Sequence, residues 1–194
     1  MDKRSKFMTD HSLGDKGKEA VLSFELSWVL RMAADDSYTK DKPIFFLYSK
    51  FMLFKLLGLE FPNSSRVVEV KVWKEWENID LIVEVVIESD GCNETHVVMV
   101  ENKVYTGMSE RQRNYYPTVL NKFCDSRNLT DCPKRMVLLS CVEDDDKFNS
   151  LKDNCEGSGW EVMSIYEIIL DLEIETESEL FNEFWIYNWG RLDN

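Results

Sequence analysis

The sequence predicts an α/β protein built around a mixed β-sheet, and three observations lead to this prediction. Two apolar helical segments precede three strand-like segments. An Asp-Gly pair joins the second and third of these strands as a tight turn would. A polar helix then separates the third strand from a fourth, apolar one. Antiparallel strands need only a turn, whereas parallel strands need a crossover, so the first three strands form a meander and the helix delivers the fourth.

The N-terminal part supplies the two helices. Residues 1–16 are polar and predict a flexible tail. Apolar residues at helical spacing predict a first helix over about 17–34. The stretch 35–43, "DDSYTKDKP", indicates a loop. Pro43 suits the first turn of a second helix, which Gly58 ends.

Runs of alternating polar and apolar residues, and of apolar residues alone, predict the three strands of the meander. Residues 66–76, "RVVEVKVWKEW", alternate as a half-buried strand does, and 79–88 form a second strand. The turn-forming stretch "ESDGCNET" leads into a third strand over 96–104. Ser109 then opens the crossover helix, in which Pro117 indicates a kink or an early end.

The C-terminal part completes the sheet. "KRMVLLSCV" predicts the fourth strand, and "GWEVMSIYEIILDL" predicts a short strand that runs into a helix. A final amphipathic helix covers about 178–190. The chain contains no internal repeat, low-complexity segment or linker, so residues 17–194 are predicted to form a single domain.

Composition bounds the class of protein. A chain of 194 residues with 44% hydrophobic residues can bury a substantial core. No apolar run is long enough to span a bilayer, and the polar N-terminus lacks the apolar stretch of a signal peptide. We therefore expect a cytoplasmic protein without membrane association. The five cysteines are odd in number and have no CxxC spacing, which favours neither a disulfide framework nor a zinc knuckle.

The net charge of −13 is unevenly distributed. Residues 141–194 hold 15 acids against 3 Lys and Arg, a net of −12, whereas residues 1–140 have a net charge of −1. The acidity is therefore a property of the last quarter of the chain. The simpler interpretation of these acids is that they lie on a solvated helix face and loop. The nearly neutral remainder can present a local basic surface to a nucleic acid.

Charged residues stand at the ends of two core strands. Asp80 begins the second strand, and Glu101 and Lys103 end the third. Side chains two apart on a strand share a face, so Glu101 and Lys103 point the same way and the Asn102 carbonyl lies near them. Two carboxylates and a carbonyl are the hard oxygen ligands that Mg²⁺ or Mn²⁺ prefers. A structural ion-pair cluster at a sheet edge is the alternative.

These residues resemble the PD-(D/E)XK nuclease superfamily, in which an Asp begins one hairpin strand and Glu-x-Lys ends the next. The matching stretches are "NID" (78–80) and "ENK" (101–103), and the following "QRNYY" resembles the Gln-x-x-x-Tyr helix of many restriction-like members. The resemblance runs from about residue 66 to residue 170. Asn78 and Arg113 depart from it, where a basic residue and a leucine are common.

The resemblance implies a fold, a reaction and a set of site residues. The fold would be a restriction-endonuclease-like mixed β-sheet flanked by helices on both faces. The reaction would be Mg²⁺- or Mn²⁺-dependent hydrolysis of DNA phosphodiester bonds, in defence, restriction or mobile-element biology. Asp80, Glu101 and the Asn102 carbonyl would hold one or two metal ions. Lys103 would serve the attacking water or the developing charge on the phosphate, and Gln112 and Tyr116 would position these groups.

Further residues are weaker candidates. Glu25 and Glu69 could each add a metal contact, although a surface or capping role is the simpler interpretation for both. Basic residues on and after the crossover helix could contact DNA phosphates, each being by default a solvated charge: Arg111, Arg113, Lys122 and Arg127. Three tryptophans could stack bases, but at such positions are more often core residues or subunit contacts: Trp160, Trp185 and Trp189.

Other kinds of chemistry lack the necessary residues. With His11 and His96 the only histidines, a histidine-rich metal site or a Ser-His-Asp triad is disfavoured, and no phosphate-binding glycine motif is present. The alternative class is an inactive nuclease-fold protein that regulates or binds a protein partner through the acidic C-terminal region. The sequence also leaves a homodimer as an alternative to a monomer.

Overall fold

The structure is a computed structural model that describes residues 14–61, 65–104 and 106–189. In these segments the elements follow one another in this order: α1 (Gly14–Met32), α2 (Tyr38–Asp41), α3 (Pro43–Leu57), β1 (Arg66–Trp76), β2 (Ile79–Ser89), β3 (Cys92–Lys103), α4 (Glu110–Ser126), β4 (Lys134–Ser140), α5 (Asp145–Cys155), β5 (Trp160–Ser164), α6 (Ile165–Ile168), α7 (Glu179–Phe181) and a π-helical segment (Asn182–Tyr187).

The sheet has five strands in the order β1-β2-β3-β4-β5. β1, β2 and β3 pair antiparallel, whereas β4 and β5 run parallel to their neighbours. Asp90 and Gly91 have φ values of 52° and 76° and form the two-residue turn between β2 and β3. Such a turn requires positive φ at both positions, which Asp-Gly tolerates. The predicted mixed sheet, with its meander and helical crossover, is confirmed.

Helices cover both faces of the sheet. Val98 and Val100 of β3 pack in a core with α1 and α3, and Val97 and Met99 pack in a second core with α4. This division follows from the alternation of side chains along a strand. The fully buried Trp185 joins the first core from the C-terminal segment, in agreement with the simpler interpretation of that residue. No helix in the described ranges is long and apolar enough to cross a membrane.

The crossover helix α4 is longer than predicted. Pro117 lies inside it, yet the helix continues to Ser126, so an early end at this proline is wrong. A proline removes the amide donor that would bond the carbonyl four residues earlier. That carbonyl belongs to Arg113, and it accepts a hydrogen bond of 3.3 Å from the indole Nε1 of Trp160 instead. A neighbouring strand therefore supplies the missing donor.

Four other assignments differ from the prediction, the first being β3, which begins at Cys92 and not at residue 96. The predicted loop 35–43 contains the single turn α2, and residues 14–16 of the predicted tail belong to α1. Residues 1–13, with His11, lie outside the described residues. The helix α5 was not predicted, because its polar sequence shows no apolar period. It forms behind the N-cap Asp144, whose side chain accepts from the amide of Lys147 at 2.9 Å.

The chain after β5 is less helical than predicted. The helix that follows is only α6, and the predicted final helix consists of the short α7 and the π-helical segment. Amides of Glu173 and Ile174 donate to the hydroxyl of Tyr48 at 3.1 Å. The Glu177 carboxylate accepts from the amides of Ile44 and Phe45 at the start of α3. These bonds attach the stretch between α6 and α7 to α3.

Gly58 ends α3 and provides a test of this packing. It has φ +68°, and a Cβ there would lie 2.7 Å from the guanidinium carbon of Arg135, whose Nη1 is held by the carbonyls of Lys55 and Leu56. Gly91 also has positive φ, but open space surrounds its Cα. Gly91→Ala should lower the free energy of unfolding by the backbone cost alone, about 1–2 kcal/mol. Gly58→Ala should lower it further in urea denaturation, and equal losses would contradict this account.

Candidate active site

The ends of β2 and β3 bring the predicted acids together. The register pairs Leu81 with Val100, which places Asp80 across from Glu101. The Asp80 carboxylate accepts a hydrogen bond of 2.7 Å from the main-chain amide of Asn102. Strand pairing and this bond therefore hold Asp80 beside the Glu-x-Lys sequence.

Glu101 is the centre of the side-chain contacts. Its Oε1 lies 2.8 Å from Nζ of Lys103 and accepts a hydrogen bond of 2.9 Å from Nε2 of Gln112. The residue is only 2% exposed. Its second oxygen, Oε2, is buried and has no hydrogen-bond partner among the described residues. A buried carboxylate oxygen without a partner is costly, and a cation would relieve that cost.

The helix α4 presents Gln112 and Tyr116 to this cluster. The side chains of Ser109 and Gln112 each bond the other's main-chain amide, a capping box that sets where α4 begins. Gln112 and Tyr116 lie four residues apart on one helix face, and Nε2 of Gln112 donates to the Tyr116 hydroxyl at 3.2 Å. The Tyr116 hydroxyl donates to the carbonyl of Asn78 at 2.9 Å. These contacts join α4 to both strand ends.

The helix α1 reaches the site from the opposite face of the sheet. Nδ2 of Asn102 donates to Oγ of Ser23 at 2.8 Å, so the Asn102 side chain points away from the Glu101 side chain. Glu19, one turn earlier in α1, accepts from the amide of Val104 at 3.3 Å. The helix thus adds a third acid near Asp80 and Glu101.

Burial dominates the electrostatics of the cluster. Burial and then the charge of Glu101 raise the pKa of Asp80 to about 7, against the lowering effects of the Asn102 amide and Lys103. Burial likewise raises the pKa of Glu101, and the ammonium of Lys103 opposes that shift. For Lys103, burial acts to lower the pKa, but the hydrogen bond to Glu101 and the surrounding negative charges raise it overall. Glu19 acts on all three groups.

The oxygen atoms of this cluster suit a hard divalent cation. In the described part of the chain, no three side chains of His, Cys, Asp or Glu converge in a ready-made metal site. Asp80 and Glu101 do lie together, and the partnerless Oε2 of Glu101 together with the raised pKa of Asp80 indicates an uncompensated need for positive charge. The donor set therefore fits Mg²⁺ or Mn²⁺, with carboxylate oxygens and no soft ligand.

In the segments that the structure describes, neither Glu25 nor Glu69 forms a hydrogen bond or ion pair with this cluster. Glu69 pairs in register with Val86 of β2, well along the strand from Asp80, and its carboxylate is ion-paired with Lys71 at 2.7 Å. Glu25 is buried in α1, where burial raises its pKa, and its Oε2 has no hydrogen-bond partner in the described segments. Among the described acids of α1, Glu19 is the one that bonds the end of β3.

Two of the four predicted phosphate-contacting residues are engaged within the fold. The guanidinium of Arg113 donates to the carbonyl of Asn154. Nε of Arg127 lies 2.7 Å from Oε2 of Glu84, and its guanidinium lies over the ring of Trp73 at 4.4 Å. Arg111 and Lys122 are exposed. Of the remaining tryptophans, Trp160 is buried and Trp189 packs against the first core.

The family of the chain follows from a comparison that extends over almost its whole length. Residues 15–191 match the sequence profile of the PD-(D/E)XK nuclease superfamily. The chain belongs to this superfamily. Its five-stranded mixed sheet with flanking helices is consistent with the α/β restriction-endonuclease-like fold. No curated protein and no solved structure matched the chain. The matched region of this superfamily member begins at residue 15, within α1 and earlier than residue 66, and so includes Glu19 and Ser23.

Sequence reasoning missed these two residues of the nuclease-fold chain. Glu19 and Ser23 lie four apart on one face of α1, and Oγ of Ser23 also donates to the carbonyl of Glu19. That polar pair, next to the apolar Leu22 and Leu26, was the available signal. Choosing it over Glu25 requires knowledge of how α1 docks on β3.

The raised pKa of Asp80 predicts how stability depends on pH without metal. Between its ordinary value near 4 and its folded value of about 7, the folded state binds more protons than the unfolded state, so the free energy of unfolding falls as pH rises. Asp80→Asn should flatten this fall and be more stable than the wild type above pH 7. Urea denaturation in EDTA across this range measures the effect, with the exposed Asp153→Asn as control. A parallel pH curve in Asp80→Asn would contradict the assigned cause.

Proposed function

We propose that the chain is a metal-dependent nuclease that hydrolyses phosphodiester bonds of DNA with water as the nucleophile. The observation that supports this most strongly is the arrangement of Asp80, Glu101 and Lys103 at adjoining strand ends. One buried carboxylate oxygen there has no partner in the part of the chain that the structure describes. Membership of a nuclease superfamily whose members generally use divalent metal ions adds independent support.

Asp80 and Glu101 are the residues that would hold Mg²⁺ or Mn²⁺. The Asn102 carbonyl is the proposed third ligand, and Glu19 would contribute negative charge from α1. The bound ion would supply Lewis-acid activation of water and neutralisation of phosphate charge. Its positive charge would also favour the ionised forms of Asp80 and Glu101, whose pKa values burial raises.

Lys103 is proposed to stabilise charge on the phosphate. Its contact with Glu101 and the nearby acids raise its pKa, so the ammonium form is favoured near neutral pH. An ammonium donates hydrogen bonds and does not accept a proton. Of the two roles that the sequence left open for this lysine, stabilisation of the developing charge is therefore better supported than deprotonation of the water.

Gln112 and Tyr116 are proposed as positioning residues. Gln112 donates to the same Glu101 oxygen that contacts Lys103, while Tyr116 connects Gln112 to the carbonyl of Asn78. This arrangement orients Oε1 of Glu101 toward the lysine. It leaves Oε2 of Glu101 for a cation.

Metal binding should stabilise the protein through the acid pair. Mn²⁺ should raise the melting temperature, because an ion that binds only the folded state shifts the unfolding equilibrium. Asp80→Asn and Glu101→Gln should each abolish this rise, whereas Glu69→Gln, which removes an exposed acid of β1, should retain it. Differential scanning fluorimetry with and without Mn²⁺ measures the shift. An equal rise in melting temperature in all three variants would show that Asp80 and Glu101 do not bind the metal.

Cleavage should require both the metal ion and Lys103. Supercoiled plasmid, linear duplex, single-stranded DNA and RNA are incubated with Mg²⁺, Mn²⁺ or EDTA. We expect metal-dependent cleavage of DNA, and a loss of at least about a hundredfold in Lys103→Met, because the lysine acts on charge that develops during the reaction. Lys147→Met, which removes an exposed lysine of α5 outside the site, is the matched control.

Two results of the same assay would contradict the proposal. A wild-type rate of cleavage in Lys103→Met would show that the lysine does not take part in the reaction. Absence of cleavage of every nucleic acid by the wild type would support the alternative, a nuclease-fold protein that binds a protein partner through its acidic C-terminal region.

A further inference from the structure

The turn between β1 and β2 lies directly beside the candidate active site. Glu77 and Asn78 form this turn, two residues before Asp80. The Tyr115 hydroxyl donates to the Glu77 carboxylate at 3.1 Å, and Tyr116 bonds the carbonyl of Asn78. Two adjacent tyrosines of α4 therefore hold the turn in place.

The backbone of this turn directs Trp76 toward α4. Glu75, Glu77 and Asn78 all have positive φ, between 48° and 68°, which glutamate rarely adopts. Residues three apart on a regular strand point to opposite faces. Here Trp73 and Trp76 both contact the ring of Phe123, with centroid distances of 4.9 and 5.5 Å. The left-handed backbone at Glu75 thus breaks the alternation of β1.

Two aromatic rings next to this turn are partly exposed to solvent. Trp76 is 39% exposed and Tyr115 is 43% exposed. The opposite part of each ring is anchored, Trp76 by Phe123 and Tyr115 by Tyr116 at 6.4 Å and by its bond to Glu77. Exposed aromatic rings held rigid beside a reaction site are surfaces on which planar ligands stack.

The charges around the site do not favour binding of duplex DNA through many backbone phosphates. A protein that binds a duplex through its backbone neutralises several phosphates with Lys and Arg. Arg113 and Arg127 are engaged by Asn154 and Glu84, which leaves Arg111 and Lys122 as the exposed cations among the four candidates. Exposed glutamates also border the site: Glu75, Glu77 and Glu110. Base stacking offers affinity that does not depend on these charges.

We infer that Trp76 and Tyr115 form a stacking platform for unpaired nucleobases, and that the preferred substrate is single-stranded or locally unpaired DNA. This inference rests on the proposed function and adds the substrate class. The platform lies beside Asp80 through the turn and beside Gln112 and Tyr116 through α4. A strand that stacks its bases there brings its own phosphates to the acids and Lys103.

Binding of a short oligothymidylate and of a blunt duplex tests the platform. Fluorescence anisotropy in Ca²⁺ or EDTA buffer prevents cleavage, and circular dichroism checks the fold of each variant. Trp76→Leu and Tyr115→Leu should each raise the Kd for the oligothymidylate by about tenfold, since stacking of one base contributes about 1–3 kcal/mol. Trp76→Phe and Tyr115→Phe should retain most of the affinity, because a ring remains. Leu180→Ala, at an exposed leucine of α7, is the control.

A second reading of the same titration reports stacking directly. Bases that stack on Trp76 should quench its fluorescence, so the quenching by oligothymidylate should be smaller in Trp76→Phe than in the wild type. Unchanged affinity in the leucine variants, or tighter binding of the duplex than of the single strand by the wild type, would overturn the inference. A shift from dimer to monomer in the leucine variants, measured by light scattering, would overturn it in favour of a second copy of the chain.

The same experiments separate this inference from the proposed function. Cleavage of single-stranded DNA at wild-type rates by both leucine variants would leave the nuclease intact and refute the platform. Ring-dependent binding of single strands without cleavage of any nucleic acid would support the platform and refute the nuclease.

Discussion

The buried carboxylate of Glu101 is the interaction on which the rest of the site depends. A charge that is 2% exposed must be compensated within the protein, and a single neighbouring ammonium satisfies only one of its two oxygens. Gln112 adds a second donor to that same oxygen. The remaining need for positive charge is shared with Asp80, whose pKa rises for the same reason of burial. Both the contacts that hold the strand ends together and the proposed binding of a cation therefore depend on Glu101.

The elements around Glu101 are arranged to hold its partners. The capping box at Ser109 sets the start of α4 and so the position of Gln112. On the other face, Ser23 and Glu19 bond the end of β3, which keeps the strand from fraying where the acids stand. The proposed stacking platform uses the same scaffold, because Trp76 and Tyr115 are continuous with the turn and the helix that frame the site.

The sequence was sufficient for the residues whose positions follow from local periodicity. Strand alternation placed Glu101 with Lys103, the hairpin register brought Asp80 across from them, and helical spacing paired Gln112 with Tyr116. These relations need only a correct strand or helix assignment and a tight turn between the strands.

The sequence was insufficient where the outcome depends on packing between distant elements. Glu19 instead of Glu25 reaches the strand ends because of how α1 docks on β3. Pro117 is tolerated because Trp160 of β5 donates to the freed carbonyl, a contact between residues 47 positions apart. Arg127 is of a residue type that commonly contacts phosphates, but its guanidinium forms an ion pair with the buried Glu84 of β2. Each of these results is a tertiary contact without a local pattern.

The most direct test of the central claim is the position of a bound metal ion. Crystals grown with Mn²⁺ locate the ion through its anomalous scattering without reference to activity. We expect a peak at coordination distance, about 2.0–2.4 Å, from Oε2 of Glu101 and from a carboxylate oxygen of Asp80. Lys103 should keep its contact with Oε1. A fully occupied peak elsewhere in the molecule, with Oε2 of Glu101 still without a partner, would contradict it.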